Sequence, residues 1–561
     1  MASRLLTAVS AVVLVPALVL ATVGTAEAAS SPPTNPRAPF LVDRPLASGA
    51  WGAPALASDG TGVLAAYVGA QPDGRHLYVA RWMPGGGWGR ATQLFVGGIE
   101  PSGVHVSVVA GRAAVWWFDD IGRSVRRMSV SVRDVVGAPW TPAHQVYRSN
   151  TSTFGGLAVG SSGVTALFGL RVFGPPDHTV MTAQSWDPTH GWGADQVLSD
   201  TGGYIFDVAA VGDRVVAFWQ NGLTNLRYST LTSGVWAPAQ DLTDPGLPCT
   251  FANEGGSPAR FFVLTACSGA SPSYAALEWP AGGSATPVST PVTVPAGAAP
   301  TSVDVSGSHA ALLTTSEGSG GTVSLVRSSA PGTWSAPVVV TTKAYVGATV
   351  SLGGAYALVT WGEFANHRSR IVSRATQFAD GTFLAPPVAV TPWSSVFFNV
   401  QASTSNGSVA AWQFTAGRAH YVQAATWTAR GGWSKPRALT PQYAYSLVPS
   451  VAVAGSNAMV GWASTSADGA TAASLLDPQP SGPARVTKSG RTLTCVAPRF
   501  SPGPATISYR WLVNGKAVYG ATSRTLPVSG SLLGKPLVCR ATASTQGFSP
   551  KTAYATAVVV H

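Results

Sequence analysis

The chain has 561 residues, with 35 Lys and Arg against 24 Asp and Glu and a formal net charge of +11. Only 11% of its residues are charged, where soluble domains usually carry ~25%. It also holds 62 Gly, 42 Pro and 19 Trp. Few charges, many turn formers and many aromatics exclude a coiled coil or a helical bundle. A hydrophobic content of 45% excludes a disordered chain. The composition is that of an all-β protein with many short strands. It is built either as several domains or as one large closed β architecture with an added module.

Residues 1–28 have the form of a secretory signal. Arg4 is the positive flank, Leu5 to Gly24 is an apolar run interrupted by Pro16, and Ala26-Glu27-Ala28 places small residues where a signal peptidase reads them. The alternative, an uncleaved membrane anchor, has a run barely long enough to span a bilayer. No further long apolar run follows, so the mature chain, from about residue 29, is expected outside the cell or at the cell wall with no transmembrane segment. Residues 30–37 (SSPPTNPR) form a Pro-rich lead-in.

From residue 63 onward one strand pattern recurs: a small residue, then apolar or β-branched residues, then usually an aromatic. It ends at Tyr67, Trp117, Phe168 and Trp219, passes Leu264 and Leu313, and ends again at Trp361, Trp412 and Trp462. These nine occurrences are about 49 residues apart on average. A second marker follows most of them: a turn, then a Trp, then an apolar tail. It supplies Trp88, Trp140, Trp192, Trp236, Trp334 and Trp433, with Phe383 substituting once. Such a period predicts about four short strands per repeat, the signature of a β-propeller blade. Residues 29–482 are therefore expected to form an eight- or nine-bladed propeller. Two packed sandwich domains are the rival, and they would leave an unbroken period unexplained. The ninth repeat lacks the second Trp, and PRAPFLV (residues 36–42) matches KPRALTP (residues 435–441). The N-terminus is thus expected to supply the outer strand of the last repeat and to close the ring.

Four cysteines in an exported chain point to disulfides rather than to a metal site. Cys249 and Cys267 are 18 apart and flank one hairpin, while Cys495 and Cys539 are 44 apart. At about Pro483 the period stops. Cys495, Trp511 and Cys539 have the spacing of an immunoglobulin-like sandwich, in which a Trp packs on an inter-sheet disulfide. Asn514-Gly515 is a strong hairpin turn signal. Leu537 stands where antibody domains carry a Tyr, so the expected sandwich is a divergent one. Residues 483–561 hold ten Lys and Arg with no Asp or Glu, whereas the rest of the mature chain balances to +1.

The repeats resemble bacterial sialidase-like propeller repeats and secreted propeller lectins. The likeness lies in the strand-ending aromatic and the Gly-x-Trp-x-x-Pro-like turn over roughly residues 40–480. The C-terminal segment, with YRWLVNGKAVYGAT at its centre, resembles the Ig-like modules appended to secreted actinobacterial proteins. The sialidase Asp-box is degenerate: SSAPGTW has Ala330 where Asp belongs, and SWDPTHGW keeps Asp187 with loose spacing. Sialidases also need three arginines and a Tyr-Glu pair, which the resemblance does not locate.

A glycosidase needs two carboxyl groups about 5–10 Å apart. Beyond Asp residues, the mature chain offers Glu100, Glu254, Glu278, Glu317 and Glu363. If each repeat's first strand lines a central channel, His105, Asp207, Asp304, Asn399 and Gln401 face it, and Asp119-Asp120 lie near one rim. No nucleophile elbow, phosphate loop or His-Glu-x-x-His is present. No catalytic residue, metal or cofactor is assigned. The sequence supports a secreted, monomeric, non-catalytic protein that binds extracellular glycan or protein, with a sialidase-like hydrolase as the alternative. The candidate contacts are the six marker Trp, either as sugar-stacking platforms or as packing between blades. Arg485, Arg491 and Lys516 are the candidates for an anionic cell-wall polymer. Export argues against nucleic acid.

Overall fold

The computed structural model describes residues 40–41 and 53–560, apart from short intervening segments. The expected signal peptide (residues 1–28), the lead-in, and the candidates Glu100 and Glu317 lie outside the described residues. Among the described residues the protein is all-β, its one helical element being a 3-10 turn at Gly530–Leu532.

The nine occurrences of the periodic pattern fall on the second strands of nine antiparallel sheets. Examples are Val63–Gln71, Arg112–Asp120 and Arg214–Asn221. Sheets 1 to 8 span residues 55–97, 101–149, 153–199, 206–241, 249–292, 298–344, 346–389 and 395–438. In each the first four strands run in meander order, and in sheets 1, 3, 4 and 8 a fifth short strand pairs with the third. Sheet 9 takes three strands from residues 450–474 and its fourth from the N-terminus. There Phe40 pairs with Ala473 and Leu41 with Ala472. The N-terminal closing strand expected from the sequence is therefore present.

Among the described residues no sheet closes on itself. The circuit is completed by packing, because the first strand of each sheet lies against the first strand of the next, and that of sheet 9 against that of sheet 1. At this joint Ser450 Oγ donates to the Pro54 carbonyl, 2.6 Å away. The second strands explain why the sequence is so apolar. Both of their faces are covered, as in Ala113, Ala114 and Val115, or Ala217, Phe218 and Trp219, all fully buried. Strands covered on both sides need no polar alternation. Small residues, then larger ones toward the strand's end, suit sheets packed closer at one end than the other.

Neighbouring sheets are also latched by polar side chains at the start of the second strand. Arg112 donates to the carbonyls of Gly160 and Ser161 in the next sheet's first turn. Arg260 reaches Ser308, Tyr356 reaches Thr404, and Arg214 reaches Gly283 and Ser284. A guanidinium supplies several donors at once to such turn carbonyls.

Both expected disulfides are present. Cys249 and Cys267 face each other across the first hairpin of sheet 5. Cys495 and Cys539 join the two main sheets of the C-terminal region. One contains Arg485–Ser489, Thr492–Val496 and Thr525–Pro527. The other contains Lys516–Ala517, Thr506–Val513, Pro536–Ser544 and Lys551–Tyr554. Trp511, fully buried, stands directly opposite Cys539 in register and packs in one core with Leu493, Leu537 and Cys495. Asn514 and Gly515 both adopt positive φ, 47° and 75°, as a tight two-residue hairpin turn requires.

Candidate functional site

The six marker Trp occupy equivalent places, and all are half-buried. Trp88, Trp192, Trp236 and Trp433 sit on two-residue strands against the third strand of their own sheets. The clusters they pack against join their own sheet to the adjoining one. That of Trp88 includes Ala452 and Met459 of sheet 9, that of Trp140 Leu77 and Val79 of sheet 1, and that of Trp236 Leu167 and Ala183 of sheet 3. Trp192 stacks on His144 of sheet 2 with ring centroids 4.8 Å apart. Trp334 packs on Phe262 of sheet 5, and its indole N–H donates to Glu278 Oε1 at 2.7 Å. The recurring Trp is thus a wedge between consecutive sheets.

One wedge also opens onto a cavity. Between sheets 7 and 8 lies a cleft of about 570 Å³, within the size range of small-molecule sites. Trp427 and Trp433 line it, with Leu384, Pro386 and Val388 from the sheet 7 edge. Its polar lining groups include Ser373, Ser434, Arg374 and Lys435, and none of its lining residues is acidic. Ser373 is 2% exposed and its hydroxyl has no partner among the described residues. Arg374 is held in place, stacked over Phe383 with Nη1 donating to the Val340 carbonyl at 3.0 Å.

The channel candidates fall into separate environments. His105 stacks on Trp116 at 5.1 Å, and burial holds its pKa below the usual value. Asp304 accepts from the Leu352 N–H of the next sheet at 2.6 Å, and burial raises its pKa. Gln401 accepts from Thr360 Oγ1 and donates to the Leu358 carbonyl. Asp119 is fully buried with Arg127, 2.9 Å away. The side chains of Asn399 and Asp120 lie outside the described residues. Asp187 of the degenerate Asp-box caps its own turn, accepting from the Thr189 and His190 amides at 2.8 Å, which lowers its pKa.

Asp207 and Glu254 do come together. They stand on the first strands of sheets 4 and 5, Phe206–Val211 and Cys249–Ser257, and are hydrogen-bonded to each other. Burial raises the pKa of both, and Asp207 raises that of Glu254 further. The pair breaks the ring's symmetry. By register Glu254 corresponds to Val208, Val303 and Val350 on three of the other first strands and to Gln401 on that of sheet 8. A Cβ at Gly156 of sheet 3 would fall on Asp207 Oδ1, so only glycine fits there. Glu254 was one of five sequence candidates. Nothing in the sequence paired it with Asp207, because the two lie 47 positions apart and meet only through sheet packing.

The other two described glutamates are in ion pairs. Glu363 pairs with Arg370 at 2.6 Å, and Glu278 is fully buried beside Arg260, 2.9 Å from Nη2. In the C-terminal region the three candidate cations are exposed but divided. Arg485 and Arg491 belong to one sheet and its hairpin, Lys516 to the other sheet. No helix among the described residues is long and apolar enough to cross a membrane.

No protein-family model matches the chain, and no curated protein sequence matches it. Solved structures do. The BP39L lectin from Burkholderia pseudomallei is 14% identical over 60% of this chain and 98% of its own, with a TM-score of 0.35. The β-propeller domain of the Trilobed protease from Pyrococcus furiosus is 9% identical over 59% of this chain and 99% of its own, with a TM-score of 0.34. Prolyl oligopeptidase B from Galerina marginata is 9% identical over 62% of this chain and 53% of its own, with a TM-score of 0.36.

Proposed function

We propose that residues 29–482 form a secreted nine-bladed β-propeller that binds an extracellular glycan or protein without catalysis. On this reading residues 483–561 are a divergent Ig-like module whose cations aid attachment to the cell surface. The nine meander sheets packed in a circuit support the blade count, and the leader with its Ala-x-Ala site and the two disulfides support export.

The observation that carries the binding reading is the cleft between sheets 7 and 8. The buried Trp427 and the half-buried Trp433 line it with apolar indole surface suited to sugar C–H groups, and a buried hydroxyl and two cations lie beside them. With no carboxyl group in its lining, the cleft has neither the acid nor the base that glycoside hydrolysis requires. The two carboxyls that do meet, Asp207 and Glu254, are hydrogen-bonded directly. A glycosidase pair stands about 5–10 Å apart, with the scissile bond between them. Two buried carboxyls in contact share a proton instead.

A glycan array run beside a fluorogenic glycoside panel tests this. Binding without turnover is expected, with Trp433→Ala losing most of it and Trp236→Ala, a wedge far from the cleft, keeping it. Turnover of any glycoside, or full binding by Trp433→Ala, overturns the reading.

A further inference from the structure

The C-terminal sandwich presents a basic sheet face that the sequence candidates did not include. In the sheet built on Thr506–Val513 and Pro536–Ser544, Trp511 and Cys539 point into the core. Alternation therefore turns Arg510 and Arg540 to the other side. The register sets Arg510 directly opposite Arg540, and Arg540 directly opposite Tyr554 on the next strand. The adjoining row on the same face is Ser508, Thr542 and Thr552. Ser508, Thr552 and Tyr554 are exposed, and Arg510 and Arg540 are half-buried at the centre.

Two like charges directly opposite on neighbouring strands destabilise a sheet, since their Cβ atoms are only about 5 Å apart. Elsewhere this protein relieves its arginines: Arg127 has Asp119, Arg260 has Glu278, Arg370 has Glu363. Here no acid is available, because residues 483–561 contain none. Among the described residues neither Arg510 nor Arg540 has an ion-pair partner, and Arg540 Nε is buried without any hydrogen-bond acceptor. The arrangement is costly for an empty protein. An anion that bridges both forks makes it favourable.

We propose that this face binds a phosphodiester-linked polyol polymer, one phosphate bridging Arg510 and Arg540 while Ser508, Thr542 and Thr552 bond the polyol hydroxyls. Two planar guanidiniums side by side match the two unesterified oxygens of a phosphodiester. The module's ten cations extend the attraction to neighbouring phosphates of the same chain. The proposal rests on the reading of residues 483–561 as an attachment module.

The test is binding of the full chain to a synthetic glycerol-phosphate oligomer across a salt series. Single-stranded DNA of equal phosphate number, polygalacturonate and phosphatidylglycerol vesicles run in parallel. Wild type is expected to bind the oligomer tightest, with affinity falling as salt rises. R510A/R540A is expected to lose at least tenfold, and R510K/R540K most of that, because lysine keeps the charge but not the fork. R485A/R491A removes the same charge elsewhere and is expected to lose no more than about threefold, since it leaves the bridged phosphate in place. The melting temperature of R510A/R540A should equal or exceed wild type, which separates lost binding from lost folding. Equal losses in the two alanine pairs, or tighter binding of DNA, polygalacturonate or vesicles, overturn the face while leaving attachment standing. Failure of wild type to bind any of the four probes overturns both.

Discussion

In the ring, arginine joins one sheet to the next. Arg112, Arg214 and Arg260 spend their donors on turn carbonyls of the following sheet, and Arg112 and Arg260 add an acid beside them, Asp134 and Glu278. In the C-terminal sandwich, Arg510 and Arg540 stand opposite each other with no ion-pair partner among the described residues, and Arg540 Nε is buried without an acceptor there. The same side chain is structural in one region and available in the other. What decides is the supply of acceptors: the ring balances to +1, the sandwich has no acid at all. A buried cation must be paired on the inside, whereas one at a surface can leave that to a ligand.

This contrast can be broken most strongly at Arg260. Arg260→Met strands Glu278 in a fully buried site, and loss of about 3–5 kcal/mol of stability is expected. Arg260→Met/Glu278→Gln should recover most of it in denaturant unfolding. An equal loss in the double variant would mean that the uncompensated Glu278 charge is not what costs the stability. Next comes the sandwich staple. Cys495→Ala/Cys539→Ala opens a loop of 44 residues, for which chain entropy gives about 4 kcal/mol. Calorimetry should show the C-terminal transition falling while the ring's stays in place. A shift of both together would show that the two regions unfold as one unit.

A smaller effect is expected at Asp207 and Glu254. Burial raises both pKa values, so above the ordinary carboxylate range the folded chain holds protons that the unfolded chain has lost. Stability contributed by the pair is therefore complete at low pH and declines as pH rises. Glu254→Gln should flatten the difference in melting temperature between about pH 5 and pH 8 and raise its value at the alkaline end. A variant with an unchanged pH profile would show that the pair ionises freely. The smallest effect is expected at the sandwich hairpin. Gly515 has φ of 75°, and Gly515→Ala should cost about 1 kcal/mol, read as a shift of the C-terminal transition alone.

Much of the fold was legible because it is repetitive. A second strand buried on both faces must be apolar, so each of the nine left the same mark, ending in Tyr67, Trp117 or their equivalents. The closing strand at Phe40–Leu41 was legible for a related reason, since a missing outer strand in the last repeat had a matching segment at the other end. The disulfides followed from spacing. The candidate site was less legible. Six Trp had the same signature, and of these only Trp433 lines the large cleft, with Leu384 and Pro386 of the neighbouring sheet across from it. Of the basic residues, the sequence singled out Arg485, Arg491 and Lys516. Arg510 and Arg540 differ from these in register and in burial, which sequence distance does not reveal.

The sequence by itself determined the all-β class, the period, the disulfide partners and the confinement of excess charge to the last 79 residues. Those are properties of composition and of local periodicity, which a strand's own burial imposes. Only the tertiary structure decided which side chains meet: Asp207 with Glu254 between sheets, Trp427 with Trp433 in a cleft, Arg510 with Arg540 across a ladder. Those meetings depend on packing and register between segments distant in the chain, and no local pattern encodes them.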